Sequence, residues 1–427
     1  MKFRYQLDER PPLRDLFLFG LQWLAISVPS LVIIGRAVAG PGGAEPAAEI
    51  LYLQKLALVT GLTMGVQVLF GHRLPLVVGP AAVLLIGVAA SRGYPAGVVY
   101  GSILTGGLVL TLLAVTGLFG RLVRLFTPRV VAAVLLLIAF TLLPTIRGLI
   151  LAGGAAPPTA GLCFAAVLVL LLFIAQQRLA GIWKATLIVW GLLAGSGVWL
   201  LLFPTSLPIS AAAPLALPAG DWAIASFAVD PGVLVAFLFC FLALAVNEMG
   251  SIQSMAALLN PADMPGRISR GVTVAGLGNM LAGACGVLGP VDFSLSPGVI
   301  AATGCASRFV LLPAALALVL LSFSPLALGI LGAVPPVVVG ATLLFILCSQ
   351  VAAGLLTLMA GEEPFRFEHG LVIGLPLLLG TLVAFLPPAV VAGFPAALQP
   401  VLGNGFVVGT VTVLLLEHGL MKNSGSC

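Results

Sequence analysis

"RLPLVVGPAAVLLIGVAAS" (residues 73–91) is apolar enough for the core of a bilayer, yet it does not read as one straight helix. Gly79 precedes Pro80, and proline lacks the N–H that a helix interior needs. The pattern recurs in "GVLGPVDFSLSPGVIAATGCAS" (286–307), where Ser296 precedes Pro297. Each stretch opens with extended-type residues, breaks, and continues with helix-forming residues rich in Ala, Gly and Ile. Gly or Ser at the N-cap with Pro at the first helical position is a helix start. The expectation is an extended piece followed by a half-helix, starting at Gly79–Pro80 and at Ser296–Pro297. At membrane depth, unwound backbone is tolerated only where protein buries it or where it lines a cavity. A half-helix start also presents free N–H groups and the positive end of the helix dipole.

Composition makes the surroundings lipid. Of 427 residues, 60% are hydrophobic and 8% are charged, against about 25% charged in soluble domains. Fourteen apolar segments lie at 14–35, 50–70, 74–91, 96–118, 128–147, 160–177, 183–203, 232–259, 268–288, 290–306, 308–331, 335–358, 369–388 and 399–418. Most are long enough to cross a hydrocarbon core of about 30 Å. The ~10-residue alternating segments of a membrane β-barrel are absent. The fold class is therefore an all-α polytopic membrane protein. No cleavable signal is read in the mixed-charge start from Lys2 to Arg14.

Lys and Arg choose the side of the membrane. With a cytoplasmic N-terminus, the inside receives Lys2, Arg4, Arg10, Arg14, Arg73, Arg121, Arg124, Arg129, Arg178, Lys184, Arg267, Arg270, Arg308, Arg366 and Lys422, and the outside only Arg36, Lys55, Arg92 and Arg147. Both termini are then cytoplasmic. The loop 204–230 carries no Lys or Arg, falls outside, and divides the chain into two halves of seven spans. An odd number per half inverts the second half relative to the first. Inverted repeats with interrupted helices at matching positions, here third of seven in each half, point to a midplane binding site.

Twelve of the fourteen Asp and Glu residues sit in loops or near segment ends; Glu248 and Asp292 do not. An acid within the membrane costs about 2.5–3.5 kcal/mol on insertion scales and is a functional candidate by default. Both are candidates for carrying a coupling proton. On the Glu248 helix, Ser251 and Met255 share its face, with Ile252 one turn on.

The remaining features exclude other classes. The net charge of +5 is spread among loops and is no nucleic-acid footprint. The cysteines at 163, 240, 285, 305, 348 and 427 show no CxxC pairing and read as small packing residues. Three histidines (72, 369, 418) lie near segment ends; no HExxH, GxSxG or Walker motif occurs. No enzyme activity, cofactor or metal is expected. "GLGNMLAG" (276–283) reads as a packing surface inside an apolar segment.

Several motifs resemble those of the nucleobase–ascorbate transporters, which include bacterial uracil and xanthine permeases. They are "ERPPL" (9–13), Gln22, "LPLVVGPAAVL" (74–84), "VNEMGSIQS" (246–254) and "GPVDFSLSPGVIAATGCASR" (289–308). The resemblance runs along nearly the whole chain. It implies a core domain of spans 1–4 and 8–11 (1–118 and 231–331) and a gate domain of spans 5–7 and 12–14 (119–203 and 332–427). It implies an inner-membrane, often homodimeric carrier that moves a nucleobase with protons by alternating access. Carried over, Glu248 is the acid that binds the base ring, Ala82 a backbone contact to substrate, and Ser294 and Leu295 the tenth-span substrate positions; Gln22 belongs to a first-span pair. The chain departs from the pattern at Leu295 in place of a second glutamate, at Ile252 in place of a histidine, and at Trp23 in place of the first-span histidine.

The sequence thus leads to a secondary transporter of a uracil- or xanthine-like base, with partners limited to substrate, proton, lipid and a second copy. Two readings stay open beside it: an anion carrier on the related sulfate-transporter fold, and a membrane scaffold that transports nothing.

Overall fold

The computed structural model describes residues 3–39, 45–120, 125–152, 156–204, 223–224, 226–359, 366–395 and 398–420. Lys2, Arg121, Arg124, Asp221, Glu362, Glu363, Lys422, Cys427 and most of the 204–230 loop lie outside them.

The first half runs α1 (Leu13–Ala39), α2 (Pro46–Leu69), β1 (Val78–Pro80), α3 (Ala82–Ala90), α4 (Ala96–Val115), α5 (Pro128–Thr141), α6 (Leu143–Leu151), α7 (Pro158–Arg178), α8 (Gly181–Ala185) and α9 (Leu187–Leu202). The second runs α10 (Pro231–Leu259), α11 (Met264–Cys285), β2 (Pro290–Asp292), α12 (Ser296–Thr303), α13 (Leu311–Leu321), α14 (Pro325–Gly332), α15 (Pro336–Met359), α16 (Phe367–Ala384), α17 (Pro388–Val391), α18 (Gln399–Leu402) and α19 (Gly405–Leu415). Proline opens many of these helices, where its missing N–H is no loss. At α10 a capping acid adds to it: Asp230 accepts from the N–H of Val233 at 2.9 Å, one residue ahead of Pro231.

Among the described residues, seven helices are long and apolar enough to cross a membrane, or eight if a bent pair is one span. That pair is Arg308–Leu321 with Pro325–Gly332, bent by 98°. The 308–331 segment, expected as one run, breaks at Ser324, whose hydroxyl accepts from the N–H of Ala327 to start α14 at Pro325. The 128–147 segment likewise divides at Leu142, just before Pro144. The 74–91 and 290–306 segments contain no long helix, because each divides its apolar residues between a three-residue strand and a half-helix of nine or eight residues.

Several helices pack closely on one another. The α4 helix lies along α11, α2 against α13, α15 against α5 to α7, and α16 against α19. The α4–α11 seam consists of glycines whose backbones touch. A Cβ at Gly276 would come within 2.8 Å of the Thr111 nitrogen, and one at Gly283 within 2.4 Å of that of Leu104. The "GLGNMLAG" stretch is the packing surface that its composition suggested.

The N-terminal segment straps the far end of α12. Arg4 N–H donates to Gly304 O (2.7 Å), Ala306 N–H to Tyr5 O (3.0 Å) and Arg308 N–H to Leu7 O (3.0 Å). The Tyr5 hydroxyl donates to Asp15 at 2.7 Å, and this bond pushes its pKa above the ordinary value.

Candidate functional site

Strands β1 and β2 cross antiparallel, pairing Val78 with Asp292, Gly79 with Val291 and Pro80 with Pro290. The flanking residues tie the crossing together. Phe293 N–H donates to Val77 O (2.9 Å), Ala81 N–H to Gly289 O (2.9 Å), and Val77 N–H to the Ser296 hydroxyl (3.0 Å). Gly79 is required by contact: a Cβ there would lie 2.3 Å from the Phe293 ring.

The half-helices begin later than Gly79–Pro80 and one residue before Pro297. Gly79 and Pro80 belong to β1; Ala81 is the N-cap and Ala82 the first residue of α3. In α12 the N-cap is Leu295, Ser296 is the first helical residue and Pro297 follows inside the first turn. The reason is pairing: Gly79 and Pro80 are drawn into the strand ladder, and the Ser296 hydroxyl is spent on Val77. Neither half-helix has a side-chain cap.

Both starts open into one cavity of about 360 Å³. Pro80 and Ala82 border it from one side and Phe293, Ser294 and Leu295 from the other. Across it stand Ser30 of α1, Asn247 of α10, and Ser349 and Gln350 of α15, among apolar residues such as Ile26 and Leu343. Among the described residues, no Asp, Glu, Lys, Arg or His is on this wall.

Glu248, to which the resemblance gives the base ring, is not on this wall. Its neighbour Asn247 faces the cavity, while Glu248, fully buried, points to the opposite side of the strand crossing. Consecutive helical residues project about 100° apart, so one position separates two environments. Behind the crossing, Glu248 accepts from the Asp292 N–H (2.9 Å) and from Gln67 Nε2 (3.2 Å), and Gln67 also donates to Gly271 O (2.9 Å). The Asp292 side chain points to the same side and not into the cavity. His72 Nε2 lies 3.1 Å from Asp292 Oδ2, without the alignment of a full hydrogen bond. His72 Nδ1 accepts the Leu74 N–H at 2.9 Å, so a neutral ring carries its proton on Nε2.

The two sites meet at the Asp292 main chain, whose N–H goes to Glu248 and whose carbonyl goes to the other side. The carbonyl accepts from Ser251 Oγ (2.9 Å) and Asn247 Nδ2 (3.4 Å), and Ser251 contacts Ser294 Oγ at 3.0 Å. Gln22 and Trp23 are buried in α1 and absent from the cavity wall, which begins at Ala25 on that helix. Trp23 offers no face to a ring in the cavity; it is filled in by protein on all sides.

Sequence reasoning missed Asn247, Gln350, Gln67 and His72. Asn247 and Gln67 carry a signal, as uncharged polar residues inside apolar segments. His72 carries none, since it follows the end of α2.

Residues 14–389 match the sequence family described as Permease family, that of the xanthine and uracil permeases. The chain belongs to that family. A putative purine permease of Clostridium perfringens is 26% identical, over 99% of this chain and 94% of its own length. Uric acid permease PucJ of Bacillus subtilis is 25% identical, over 92% of this chain and 88% of its own. Among solved structures, the transmembrane domain of the cyanobacterial bicarbonate transporter BicA matches with a TM-score of 0.62 at 16% identity, covering 87% of this chain and 96% of that one. The murine anion transporter Slc26a9 in the inward-facing state matches at 0.61 and 12%, covering 96% and 69%. At such identities the structural likeness concerns the fold alone. The permease is a secondary-active, multi-pass membrane transporter, and its family is one of transporters and not of enzymes.

Proposed function

We propose that this permease carries a neutral oxopurine-type base, xanthine-like before uracil-like, together with protons by alternating access. The observation that carries the reading is the cavity where two uncapped half-helix starts, Asn247 and Gln350 converge. Free N–H groups at Ala82 and around Leu295 suit ring carbonyls. The carboxamides of Asn247 and Gln350 each offer a donor and an acceptor, matching the alternating N–H and C=O of an oxopurine edge. Phe293 and the aliphatic residues suit the faces of a flat ring. A wall without ionised side chains favours an uncharged ligand, and the volume falls in the range of about 300–1,000 Å³ typical of ligand sites.

A second cavity, also of about 360 Å³, supports alternating access. It adjoins the C-terminal end of α3 at Ala89 and Ala90, near Arg92 and Gln399, whereas the first adjoins its N-terminal end. In this reading the chain crosses the bilayer fourteen times in two inverted halves with both termini cytoplasmic. The core domain (1–118 and 231–331) moves against the gate domain (119–203 and 332–427), the 204–230 loop lies outside, and two copies assemble. The first cavity, bordered by Thr186 and Gln350, then faces the cytoplasm.

A second reading, an anion carrier, draws on one specific feature. Two helix starts face the cavity and no carboxylate stands on its wall to repel an anion. Thermal stabilisation of the purified protein by xanthine, uracil, bicarbonate and chloride separates the two, with Asn247→Ala and Glu248→Gln alongside. Stabilisation by xanthine that is lost in Asn247→Ala and kept in Glu248→Gln is the expected result. Stabilisation by an anion alone, surviving Asn247→Ala, overturns it in favour of the second reading.

A further inference from the structure

We infer that His72 completes the proton site of this carrier, with Glu248 and Asp292, on the opposite side of the strand crossing from the substrate cavity. The inference rests on the reading of the chain as a proton-coupled nucleobase carrier and adds a residue and a location to it.

The geometry has three parts. First, Glu248, Asp292 and His72 are all buried, at 0%, 1% and 0% exposure, and none lines the cavity. Two carboxyls enclosed in the membrane interior within reach of one imidazole form a set whose charge depends on how many protons it holds. The charged groups that face His72 are Glu248 and Asp292 on one side and Arg267 on the other. Arg267 Nη1 donates to the carbonyls of His72 and Arg73, both at 2.9 Å. Around Arg267 stand Arg73, Arg270, Arg308 and Asp8. Second, polar atoms remain unmatched: His72 Nε2 and both carboxylate oxygens of Asp292 lack an aligned hydrogen bond. A proton entering the set supplies the missing donor. Third, the site adjoins the surface in the chain at one end and the cavity at the other. Arg73, next in the chain to buried His72, is exposed. At the other end, the Asp292 main chain joins both sites, its N–H bonded to Glu248 and its carbonyl to Asn247 and Ser251.

Loading is a proton transfer only. An O–H bond forms on a carboxyl of the set as a hydronium ion gives up its proton while the carrier is open to the outside, with His72 Nε2–H turned to the remaining charge; release on the cytoplasmic side is past Arg73. The same bond breaks when the core domain has changed sides.

The test uses the full chain in proteoliposomes with radiolabelled xanthine. Counterflow, which needs no net proton movement, is compared with accumulation driven by a pH difference of about one unit, worth about tenfold for one proton. His72→Asn keeps an acceptor for the Leu74 N–H, as an Asx turn does, and removes the Nε2 proton. Asp292→Asn provides a second variant should the first fail to fold. Both are expected to keep counterflow within about threefold of the parent. Both lose accumulation, and their rates vary less between about pH 5.5 and about pH 8. Asn247→Ala loses both activities. Variants that accumulate xanthine with the parent's pH profile overturn the inference while leaving the nucleobase reading intact. Loss of counterflow together with accumulation in both variants also overturns it, since the cluster would then belong to substrate binding. Absence of xanthine counterflow in the parent overturns the nucleobase reading and the inference with it.

Discussion

Replacing Gly79 by alanine tests whether the strand crossing shapes the cavity. A Cβ at this position would lie 2.3 Å from Phe293 Cζ, 2.5 Å from Cε2 and 3.0 Å from the Ser30 hydroxyl. Carbon atoms in contact sit about 3.5–4.0 Å apart, so the ring must retreat by more than about 1 Å. The Phe293 backbone is held on both sides, its N–H by Val77 O at 2.9 Å and its carbonyl by the Ser296 N–H at 3.3 Å. The ring itself must therefore move, and the cavity that it lines is the available space. Overpacking of this kind costs about 1–3 kcal/mol. If the cost is expressed in the binding-competent state, xanthine affinity falls about 5- to 150-fold. The assay is thermal unfolding in detergent and equilibrium binding of labelled xanthine, with Gly250→Ala as control. Nothing lies within 4 Å of a Cβ at Gly250, so that variant should melt and bind as the parent does. A Gly79→Ala protein that melts and binds like the control would refute the idea that ring-on-strand packing sets the cavity's shape.

Further predictions follow the same logic. Asn247→Ala removes a carboxamide from the cavity wall and should weaken xanthine binding by about 1–3 kcal/mol, read by titration, because ligand polar groups lose their partner. Gly107→Ala places a Cβ 2.7 Å from Gly276 O and Met280 N, both main-chain atoms that a rotamer change cannot clear; a lower melting temperature by at least the equivalent of about 1–3 kcal/mol is expected. Deleting residues through Glu9 removes the strap on α12, and hydrogen exchange at Ala306 and Arg308 should accelerate, measured by mass spectrometry. Tyr5 should titrate above its ordinary value near about 10, followed by phenolate absorbance, and return toward it in Asp15→Ala. A raised folded-state pKa means that the Tyr5–Asp15 bond contributes below the unfolded value and is lost as pH rises through the folded one.

Much of the site was legible because it is written in local chemistry. The paired Gly-Pro and Ser-Pro breaks located the two interrupted spans, and hydropathy located the helices around them. Glu248 and Asp292 stood out because charge is rare in lipid, and they do meet: Glu248 accepts from the Asp292 main chain. Their side of the crossing was not legible. It depends on which face of α10 packs toward β2, and Asn247 and Glu248, adjacent in sequence, end in different compartments. The exact half-helix starts were not legible either. A Gly-Pro pair is equally suited to a helix start and to a strand end, and only the pairing with Val291 and Pro290 decided for the strand. His72 looked like a residue at a segment end because the turn after α2 folds back into the protein, an event no local pattern announces.

The sequence by itself determined that this chain lives in a bilayer, that its two halves carry matching interruptions, and that two acids lie where lipid-exposed acids could not. These follow from transfer free energies and backbone hydrogen bonding, which act on short stretches. Only the tertiary structure decided that the acids and His72 share a closed site behind the strands while Asn247, Gln350 and the half-helix starts face the cavity. The reason is geometric: the crossing of β1 and β2 joins residues about half a chain apart, and the direction in which each side chain leaves that crossing is set by its partner strand.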